Sequence, residues 1–347
     1  MSKIDSLIVV HPRFDTVWPW SADHFHELWR EQAGVQFLRM DNGQEATLGA
    51  ALDAVDAQIY LGSIRRAVIL GVEVEVDDLH RLPALREATF GHTQISDAAK
   101  SWLDDHEVSV YRQQSEGFWG QSVAECALAL TLCALRQIPQ LHHRILTDQA
   151  PWDYNPPDDH GRPGERGHQF GDDARFTHGT LEGKRVRVVG AGNIGSRYAS
   201  FCSALGADVA MWDPFSPETP FHRARAYREY HLRKLVEDAE IFAPMLPLTD
   251  TTRGIVTADH IDAIPSGSLV VTITRARICD TDALRRRVLA DELSLAADVF
   301  DVEPLPFDDP LLGRTNVVHT PHIAGRTADA NHTWSHMLAR QFAPRSL

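Results

Sequence analysis

The stretch that decides the fold runs from Val186 to Gly195 and reads VRVVGAGNIG. A short apolar strand leads into the pattern G-x-G-x-x-G, and a helical run from Ser196 to Leu205 follows it. Gly190 permits a tight turn, Gly192 leaves room for a pyrophosphate beside the backbone, and Gly195 allows close packing of helix on strand. Free N–H groups at the start of the helix favour phosphate oxygens. This context predicts a dinucleotide-binding βαβ unit.

A carboxylate, Asp213, follows the next predicted strand, 18 residues after Gly195. At that place it can accept hydrogen bonds from the adenosine ribose hydroxyls, and it would repel the 2′-phosphate of NADP. We therefore expect NAD to be preferred over NADP. The alternative is an ordinary loop aspartate before Pro214, and Arg223 and Arg225 could soften the preference.

Apolar runs alternate with helical patterns on both sides of the glycine-rich turn. The predicted strands are 6–10, 35–40, 57–61, 85–90, 108–112, 185–189, 208–212, 240–245, 269–274, 294–299 and 316–320. Such alternation is typical of parallel sheets covered by helices. The predicted fold class is therefore α/β, with two Rossmann-like or flavodoxin-like domains, each built on a parallel sheet, and a cleft between them.

Length and composition set the broad class. The chain has 347 residues, which favours about two domains, and its 43% of hydrophobic residues excludes a disordered chain. A net charge of −14 argues against nucleic-acid or anionic-membrane partners. Neither a signal peptide nor a membrane-spanning run is predicted, so we expect a cytoplasmic protein. Four cysteines without a C-x-x-C pair are interpreted as small core residues, and no metal site is predicted.

A strongly apolar helical run covers residues 120–140, with Ser122 as its predicted N-cap and Pro139 at its end or at a kink. Because the run is apolar almost all round, we expect it to be buried between domains or at a subunit interface. Residues 148–180 are rich in proline, glycine and aspartate, and are predicted to be irregular.

Polar residues follow three later predicted strands. Arg275 comes after the strand 269–274, Glu303 after 294–299, and His322 after 316–320. Ligands of open α/β sheets bind at the carboxyl ends of the strands, where these residues are expected to lie. Each residue alone also has a structural interpretation, as a turn residue or an ion-pair partner.

As an ordered set, these segments make the chain resemble the D-isomer-specific 2-hydroxyacid dehydrogenases. The motifs that carry the resemblance are Ser122-Val123-Ala124-Glu125, the glycine-rich turn, Leu246-Pro247-Leu248-Thr249, the Arg275 segment, Asp298 with Glu303-Pro304, and Pro321-His322. The match extends from about Ser122 to Thr327 and is weak in residues 1–110.

The resemblance implies a catalytic triad of Arg275, Glu303 and His322. His322 would donate a proton to the substrate carbonyl oxygen, and a neighbouring Glu303 would favour the charged imidazolium. Arg275 would hold the substrate carboxylate through its forked donors. Asp298 would face the nicotinamide carboxamide or ribose.

The same resemblance assigns the remaining site residues. The expected cofactor-binding residues are Ser122, Gly190, Gly192, Asn193, Ile194, Gly195, Asp213, Pro247, Thr274, Asp298, His322 and Ala324. The expected substrate-binding residues are Phe90, Gly91, His92 and Arg275.

Some residues depart from the family pattern. Thr272 and Ala276 stand where the family usually has asparagine and glycine, and Ala324 replaces the glycine or serine often found there. Arg277 adds a second cation, which is either a solvated arginine or a partner for an extra anionic group on the substrate.

The implied function is the NAD(H)-dependent interconversion of a 2-oxo acid and a D-2-hydroxy acid, similar to glyoxylate or hydroxypyruvate reductases. The alternatives are an NAD-sensing, corepressor-like binding protein and a formate- or phosphite-type dehydrogenase. Residues 1–114 with 326–347 are expected to form the substrate domain, and 115–325 the NAD-binding domain. Residues 141–180 would serve as a dimerisation arm of a homodimer whose ligand is a small anionic acid.

Overall fold

The computed structural model describes residues 4–31, 34–57, 59–113, 117–148, 150–152 and 171–342. By proximity of its Cα atoms the chain divides into two units. One consists of Met1–Trp119 with Arg326–Leu347, and the other is Gly120–Gly325. Of the expected dimerisation arm, 141–180, residues 149 and 153–170 lie outside the described residues.

The first unit is built on a parallel sheet. Its strands are β1 (Ile4–Val10), β2 (Gly34–Arg39), β3 (Arg66–Leu70), β4 (Glu73–Val74), β5 (Glu87–Gly91), β6 (Gln94–Ile95) and β7 (Ser109–Tyr111). The main sheet has the order β2-β1-β3-β5-β7, and β4 pairs with β6 separately. This is the flavodoxin-like order, in which the direction of winding reverses between β1 and β3.

Helices cover the sheet of the first unit. They are α1 (Pro12–Asp15), α2 (Ser21–Arg30), α3 (Leu48–Asp53), α4 (Val76–His80), α5 (Asp97–Asp105) and the C-terminal helix (Ala328–Gln341). The C-terminal helix packs on α2 at the other end of the sequence. The Ser21 hydroxyl donates to Asn331 Oδ1 at 2.9 Å, and the Trp29 indole donates to the Phe342 carbonyl at 3.1 Å.

The prediction of a strand at 57–61 is wrong. Tyr60 is 75% exposed, and Leu61–Ser63 forms a short 3₁₀ turn. The strand in this part of the sheet is β3, whose residues from Ala67 to Leu70 are fully buried. Arg66 opens that strand and pairs with Glu87 at 2.8 Å and with Asp5 at 3.4 Å. The sequence analysis missed this strand because the charged residue Arg66 begins it, which leaves an apolar run of only four residues before Gly71.

The second unit is built on a larger parallel sheet. Its strands are β8 (Arg185–Val189), β9 (Asp208–Trp212), β10 (Tyr227–Arg228), β11 (Ile241–Pro244), β12 (Leu269–Thr272), β13 (Ser294–Ala297) and β14 (Val317–His319). Their order is β10-β9-β8-β11-β12-β13-β14. This is the Rossmann order extended by one strand, with the reversal between β8 and β11. The predicted α/β class with two parallel sheets is confirmed.

The helices of the second unit are α6 (Gly120–Arg136), α7 (Ile138–Arg144), α8 (Asn193–Ala204), α9 (Glu218–Ala224), α10 (Leu232–Glu237), α11 (Ala258–Ala263) and α12 (Thr281–Leu289). Among the helices of the described ranges, none combines the length and the apolar character that a bilayer crossing requires.

The predicted start of α6 needs correction. The helix begins at Gly120, so Ser122 lies within its first turn and is not the N-cap. It ends at Arg136, and Gln137, with a φ of +48°, separates it from α7. Pro139 therefore lies in the first turn of α7, where proline is well tolerated.

Buried thiols agree with the interpretation of the cysteines as core residues. Cys202 and Cys279 are buried, whereas Cys126 and Cys133 are partly exposed, and all four are free thiols. Burial raises the pKa of both the Cys202 and the Cys279 thiol to about 12. Both thiols are therefore protonated and unreactive at neutral pH.

Three histidines meet where α2 packs on the C-terminal helix. The Nε2 atoms of His24 and His336 lie 3.2 Å apart, and the ring centroids of His24 and His332 lie 4.4 Å apart. One nitrogen of the His24–His336 pair must donate and the other accept, so two protonated rings cannot face each other. Desolvation lowers the pKa of His336, and the charges of His24, Arg340 and His332 act in the same direction.

We expect this cluster to make stability depend on pH. The folded-state pKa of His336 lies below its ordinary value of 6.5, so the unfolded chain binds that proton more readily. The stabilising contribution is complete above about pH 6.5 and is lost as the pH falls below it. Thermal unfolding followed by circular dichroism between pH 7.5 and 5.5 should show a decreasing Tm, and His336→Gln should reduce the decrease.

The control is His222→Gln, which alters an exposed histidine of α9. The same pH dependence in wild type and His336→Gln would contradict the assignment. Glu27, whose carboxylate lies 3.5 Å from His24 Nδ1, partly offsets the repulsion and stays unchanged in all variants.

Candidate active site

The predicted polar residues collect at the carboxyl ends of adjacent strands. In the second unit, β12 pairs with β13 and β13 with β14, all in parallel. Arg275 follows β12, Asp298 follows β13, and His322 follows β14. The chain therefore brings these side chains to one edge of one sheet, as expected from their positions in the sequence.

His322 and Glu303 form a direct pair. The distance between His322 Nδ1 and Glu303 Oε2 is 2.7 Å. The other carboxylate oxygen, Oε1, accepts a hydrogen bond from the Phe300 N–H at 2.8 Å, which fixes the glutamate. The side chains of His322 and Glu303 are 40% and 34% exposed. With Nδ1 committed to the carboxylate, Nε2 is the ring nitrogen that can exchange a proton with a ligand.

Asp298 holds the segment that carries His322. It is fully buried, and its oxygens accept hydrogen bonds from the Thr320 hydroxyl (2.6 Å) and from the N–H groups of Ile323 and Ala324 (2.9 Å each). These donors flank His322, whose φ of +56° lies in the left-handed region. Residues other than glycine adopt this region rarely and at a cost, so the Asp298 bonds stabilise the turn.

A contact from α6 supports the same turn. The Ser122 hydroxyl donates a hydrogen bond to the Ala324 carbonyl, and Ala324 is only 3% exposed. Two residues predicted to bind the cofactor are thus bonded to each other. Their bond ties the first turn of α6 to the chain just after His322.

Arg275 lies at the exposed edge. Its Nη1 atom donates to the carbonyl of Thr274 at 2.6 Å, and Thr274 itself is buried. Among the residues that the structure describes, no carboxylate forms an ion pair with this guanidinium. Its charge therefore remains available for an anionic ligand.

The glycine-rich turn has the close approaches that its pattern predicts. Gly190 has a φ of +101°, and a Cβ there would lie 2.8 Å from the Met245 carbonyl oxygen. A Cβ on Gly195 would lie 2.1 Å from the Gly190 carbonyl oxygen. Gly192 is exposed and precedes α8, whose first residues are Asn193 and Ile194. A side chain is thus excluded at Gly190 and Gly195, and the N-terminus of α8, a favourable place for phosphate oxygens, follows directly after Gly192.

Asp213 lies against this turn at the end of β9. Its Oδ2 accepts from the Ala191 N–H at 2.9 Å, and its Oδ1 accepts from the N–H groups of Phe215 and Ser216 at 3.0 Å each. Pro247, after β11, is exposed. The structure therefore joins Asp213 to the turn, and this geometry suits a dinucleotide bound at the reversal of the sheet.

The predicted substrate-binding residues of the first unit lie at the carboxyl end of β5. Gly91 is closely packed, since a Cβ there would lie 2.9 Å from Leu70 Cδ2 and the leucine side chain would have to move. His92 is exposed and has a φ of +50°. Phe90 is partly buried. These three residues belong to the first unit, whereas the Arg275, Glu303 and His322 set belongs to the second.

Comparison with known proteins gives a consistent result. A sequence model described as "D-isomer specific 2-hydroxyacid dehydrogenase, NAD binding domain" matches residues 128–324. A D-3-phosphoglycerate dehydrogenase of Archaeoglobus fulgidus is 30% identical over 210 residues, which are 60% of this chain and 36% of that protein. A glyoxylate reductase of Thermofilum pendens is 26% identical over 337 residues, which are 96% of this chain and 83% of that protein.

This chain spans at most about half the length of several curated relatives. The chain covers between 28% and 50% of four D-3-phosphoglycerate dehydrogenases and one hydroxypyruvate reductase that it resembles. Among solved structures, the D-isomer specific 2-hydroxyacid dehydrogenase of Lactobacillus delbrueckii ssp. bulgaricus has a TM-score of 0.66 at 17% identity, covering 96% of this chain and 95% of that one. At this identity the likeness supports the fold.

The close approach at Gly195 gives a testable consequence. Gly195→Ala places a methyl group against a backbone carbonyl, which cannot yield without shifting the turn. We expect a loss of about 1–3 kcal/mol in the free energy of unfolding. Urea denaturation followed by fluorescence measures it.

The matched control is Gly43→Ala, because a Cβ at Gly43 has no neighbour within 4 Å. This variant should change the free energy of unfolding by less than about 0.5 kcal/mol. Equal urea midpoints for the two variants would contradict the tight packing of the turn.

Proposed function

The chain belongs to the D-isomer specific 2-hydroxyacid dehydrogenase family and carries that family's NAD binding domain over residues 128–324, and we propose that it interconverts a small 2-oxo acid and a D-2-hydroxy acid. The observation that carries the proposal is the His322–Glu303 pair, 2.7 Å apart, on the same sheet edge as Arg275. Because a hydroxypyruvate reductase and a glyoxylate reductase are among its relatives, we expect a reaction similar to theirs.

The glycine-rich turn and its neighbours would hold NAD. Gly190 and Gly195 permit the tight turn and the close packing of α8, and Gly192 would leave room for the pyrophosphate where Asn193 and Ile194 begin that helix. The other proposed cofactor contacts are Ser122, Asp213, Pro247, Thr274, Asp298, His322 and Ala324. Bound NADH supplies the hydride that reduces the substrate carbonyl.

His322 moves the proton. As imidazolium it donates from Nε2 to the carbonyl oxygen of the 2-oxo acid, and as neutral imidazole it takes the proton back from the hydroxy acid. Glu303 orients the ring through Nδ1 and stabilises its positive charge. Asp298 acts as a positioning residue, since its bonds fix the turn on which His322 lies.

Arg275 binds the substrate carboxylate. Its guanidinium has no acidic partner among the described residues, so a carboxylate can occupy its donors without displacing an ion pair. The same charge polarises the neighbouring carbonyl and stabilises the developing alkoxide. In the first unit, Phe90, Gly91 and His92 are the proposed substrate contacts.

The two units then divide the work. We propose that the first unit is the substrate domain, which contributes Phe90, Gly91 and His92, and that the second unit binds NAD and contributes Arg275. We also propose a homodimer, because apolar side chains at the start of α7 and just after its end are exposed in the single chain. They are Ile138 at 50%, Ile145 at 44% and Leu146 at 68%.

The experiment that tests the proposed function is a panel of 2-oxo acids with NADH, including glyoxylate, hydroxypyruvate, pyruvate and bulkier acids. We expect NADH oxidation with at least one of them and the D-hydroxy acid as product. Tight NADH binding without oxidation across the panel would favour an NAD-sensing protein instead. Reduction of NAD by formate or phosphite would identify a formate- or phosphite-type dehydrogenase.

Replacing the proposed acid tests its role. His322→Ala should lower kcat about 10²- to 10⁴-fold, the usual contribution of a general acid, while NADH binding is retained. Stopped-flow turnover and NADH fluorescence titration measure the two quantities. His222→Ala, at an exposed histidine of α9, is the control and should keep full turnover. Near-normal turnover of His322→Ala would refute the assignment.

The position of Asp213 predicts the cofactor preference. A carboxylate at the end of β9, bonded to the glycine-rich turn, repels a 2′-phosphate. We expect kcat/KM for NADH to exceed that for NADPH by at least about tenfold, and Asp213→Ser to reduce the ratio. Steady-state kinetics with both cofactors measure it, and a clear preference of the wild type for NADPH would disprove the interpretation.

A further inference from the structure

Arg277 lies two residues after Arg275, on the same edge of the sheet. It is part of the short 3₁₀ turn Ala276–Ile278 that follows β12. Its carbonyl accepts a hydrogen bond from the Gly254 N–H at 2.9 Å, which anchors the backbone of the turn. The side chain is exposed. Arg277 is thus an exposed cation on a backbone that is fixed close to Arg275.

The guanidinium of Arg277 reaches the loop that carries Glu303. Its Nη2 atom donates to the Asp301 carbonyl oxygen at 3.5 Å, and Glu303 follows two residues later. The acceptor is a neutral carbonyl group and not the carboxylate of Asp301. The contact therefore directs the arginine toward the Glu303 loop without neutralising it.

A different arginine forms ion pairs with two aspartates of this loop. Arg285 of α12 pairs with the Asp301 carboxylate at 3.6 Å and with Asp309 at 2.8 Å. For Arg277 no ion pair with a carboxylate is found in the part of the chain that the structure describes. Its charge remains uncompensated in a chain with a net charge of −14.

Two uncompensated guanidinium groups exceed what a simple 2-oxo acid requires. One of them, Arg275, is sufficient for the single carboxylate of glyoxylate or pyruvate. A second fork of donors on the same edge matches a second anion on the same molecule, and arginine binds carboxylate, sulfonate and phosphate oxygens through the same paired N–H groups.

We propose that Arg277 is a specificity-determining residue that binds a second anionic group of the substrate. The preferred 2-oxo acids would then be dianionic, in the sense that they carry two anionic groups. This inference rests on the proposed function, because it assumes that Arg275 holds the carboxylate next to the reacting carbonyl. The second group lies at the far end of the substrate and takes no part in the hydride or proton transfer. Arg277 therefore acts on substrate binding and not on the chemical step.

The experiment compares matched acids that differ by one anion. Three pairs serve: hydroxypyruvate with 3-phosphohydroxypyruvate, pyruvate with 3-sulfopyruvate, and 2-oxobutyrate with 2-oxoglutarate. kcat and KM are measured with NADH for wild type, Arg277→Ala, Arg277→Lys and Arg286→Ala. The last variant removes one positive charge from α12 at an exposed site that pairs with Asp262, and it controls for net charge.

We expect wild type to prefer the dianionic member of at least one pair, and the pair with the largest preference identifies the anion. Arg277→Ala should lower kcat/KM for that acid about 10- to 100-fold, mainly through KM, and for its monoanionic partner less than about threefold. Arg277→Lys should fall between wild type and Arg277→Ala, since it keeps the charge and loses the fork. Arg286→Ala should resemble wild type.

A wild-type preference for the monoanionic acid in all three pairs would overturn the inference. So would an equal loss for both members of the preferred pair in Arg277→Ala. If no acid is turned over, the proposed function fails, and calorimetric titration of the dianionic acids into the NADH complex still decides the role of Arg277. Equal affinity of wild type and Arg277→Ala would then overturn it, and weaker binding by Arg277→Ala alone would support it.

Discussion

The site depends on the buried carboxylate of Asp298. Its three hydrogen bonds, to the Thr320 hydroxyl and to the N–H groups of Ile323 and Ala324, enclose the turn in which His322 adopts a left-handed backbone. Such a conformation costs on the order of 1–3 kcal/mol, and a fully buried acceptor with several donors can offset it. The orientation of the His322 ring, and hence its 2.7 Å contact with Glu303, follows from that turn.

Parallel strands explain why residues far apart in the sequence meet there. All pairings within the described part of the larger sheet are parallel, so the carboxyl ends of β8, β9, β11, β12, β13 and β14 lie along one edge. The chain must return from each carboxyl end to the other edge, through a helix in every case except the irregular segment between β13 and β14, and each return places a loop at this edge. The glycine-rich turn, Arg275 and His322 each lie in one of these loops, after β8, β12 and β14 respectively.

The sequence predicts every strand of the second unit except the two-residue β10, because the others are short apolar runs bounded by turns and flanked by helical patterns. It fails at β3, where Arg66 interrupts the apolar run, since only the folded chain shows that Asp5 and Glu87 pair with it. It also misses the bond from Ser122 to Ala324, which joins residues 202 positions apart. The strand positions, glycines and charged residues are local signals, whereas the positioning bonds around His322 arise from the tertiary structure.

The contact between α2 and the C-terminal helix has a consequence for the order of folding during synthesis. Residues Gly120–Gly325 form a continuous unit, whereas the first unit needs both ends of the chain. Ser21 and Trp29 find their partners only at Asn331 and Phe342, which follow them by 310 and 313 residues in the sequence. The second unit can therefore complete its core on the ribosome. During that time Trp29 and its neighbours in the first unit remain exposed to solvent, because the C-terminal helix has not yet been synthesised. A chaperone that meets this nascent chain would find its exposed apolar surface in the first 119 residues.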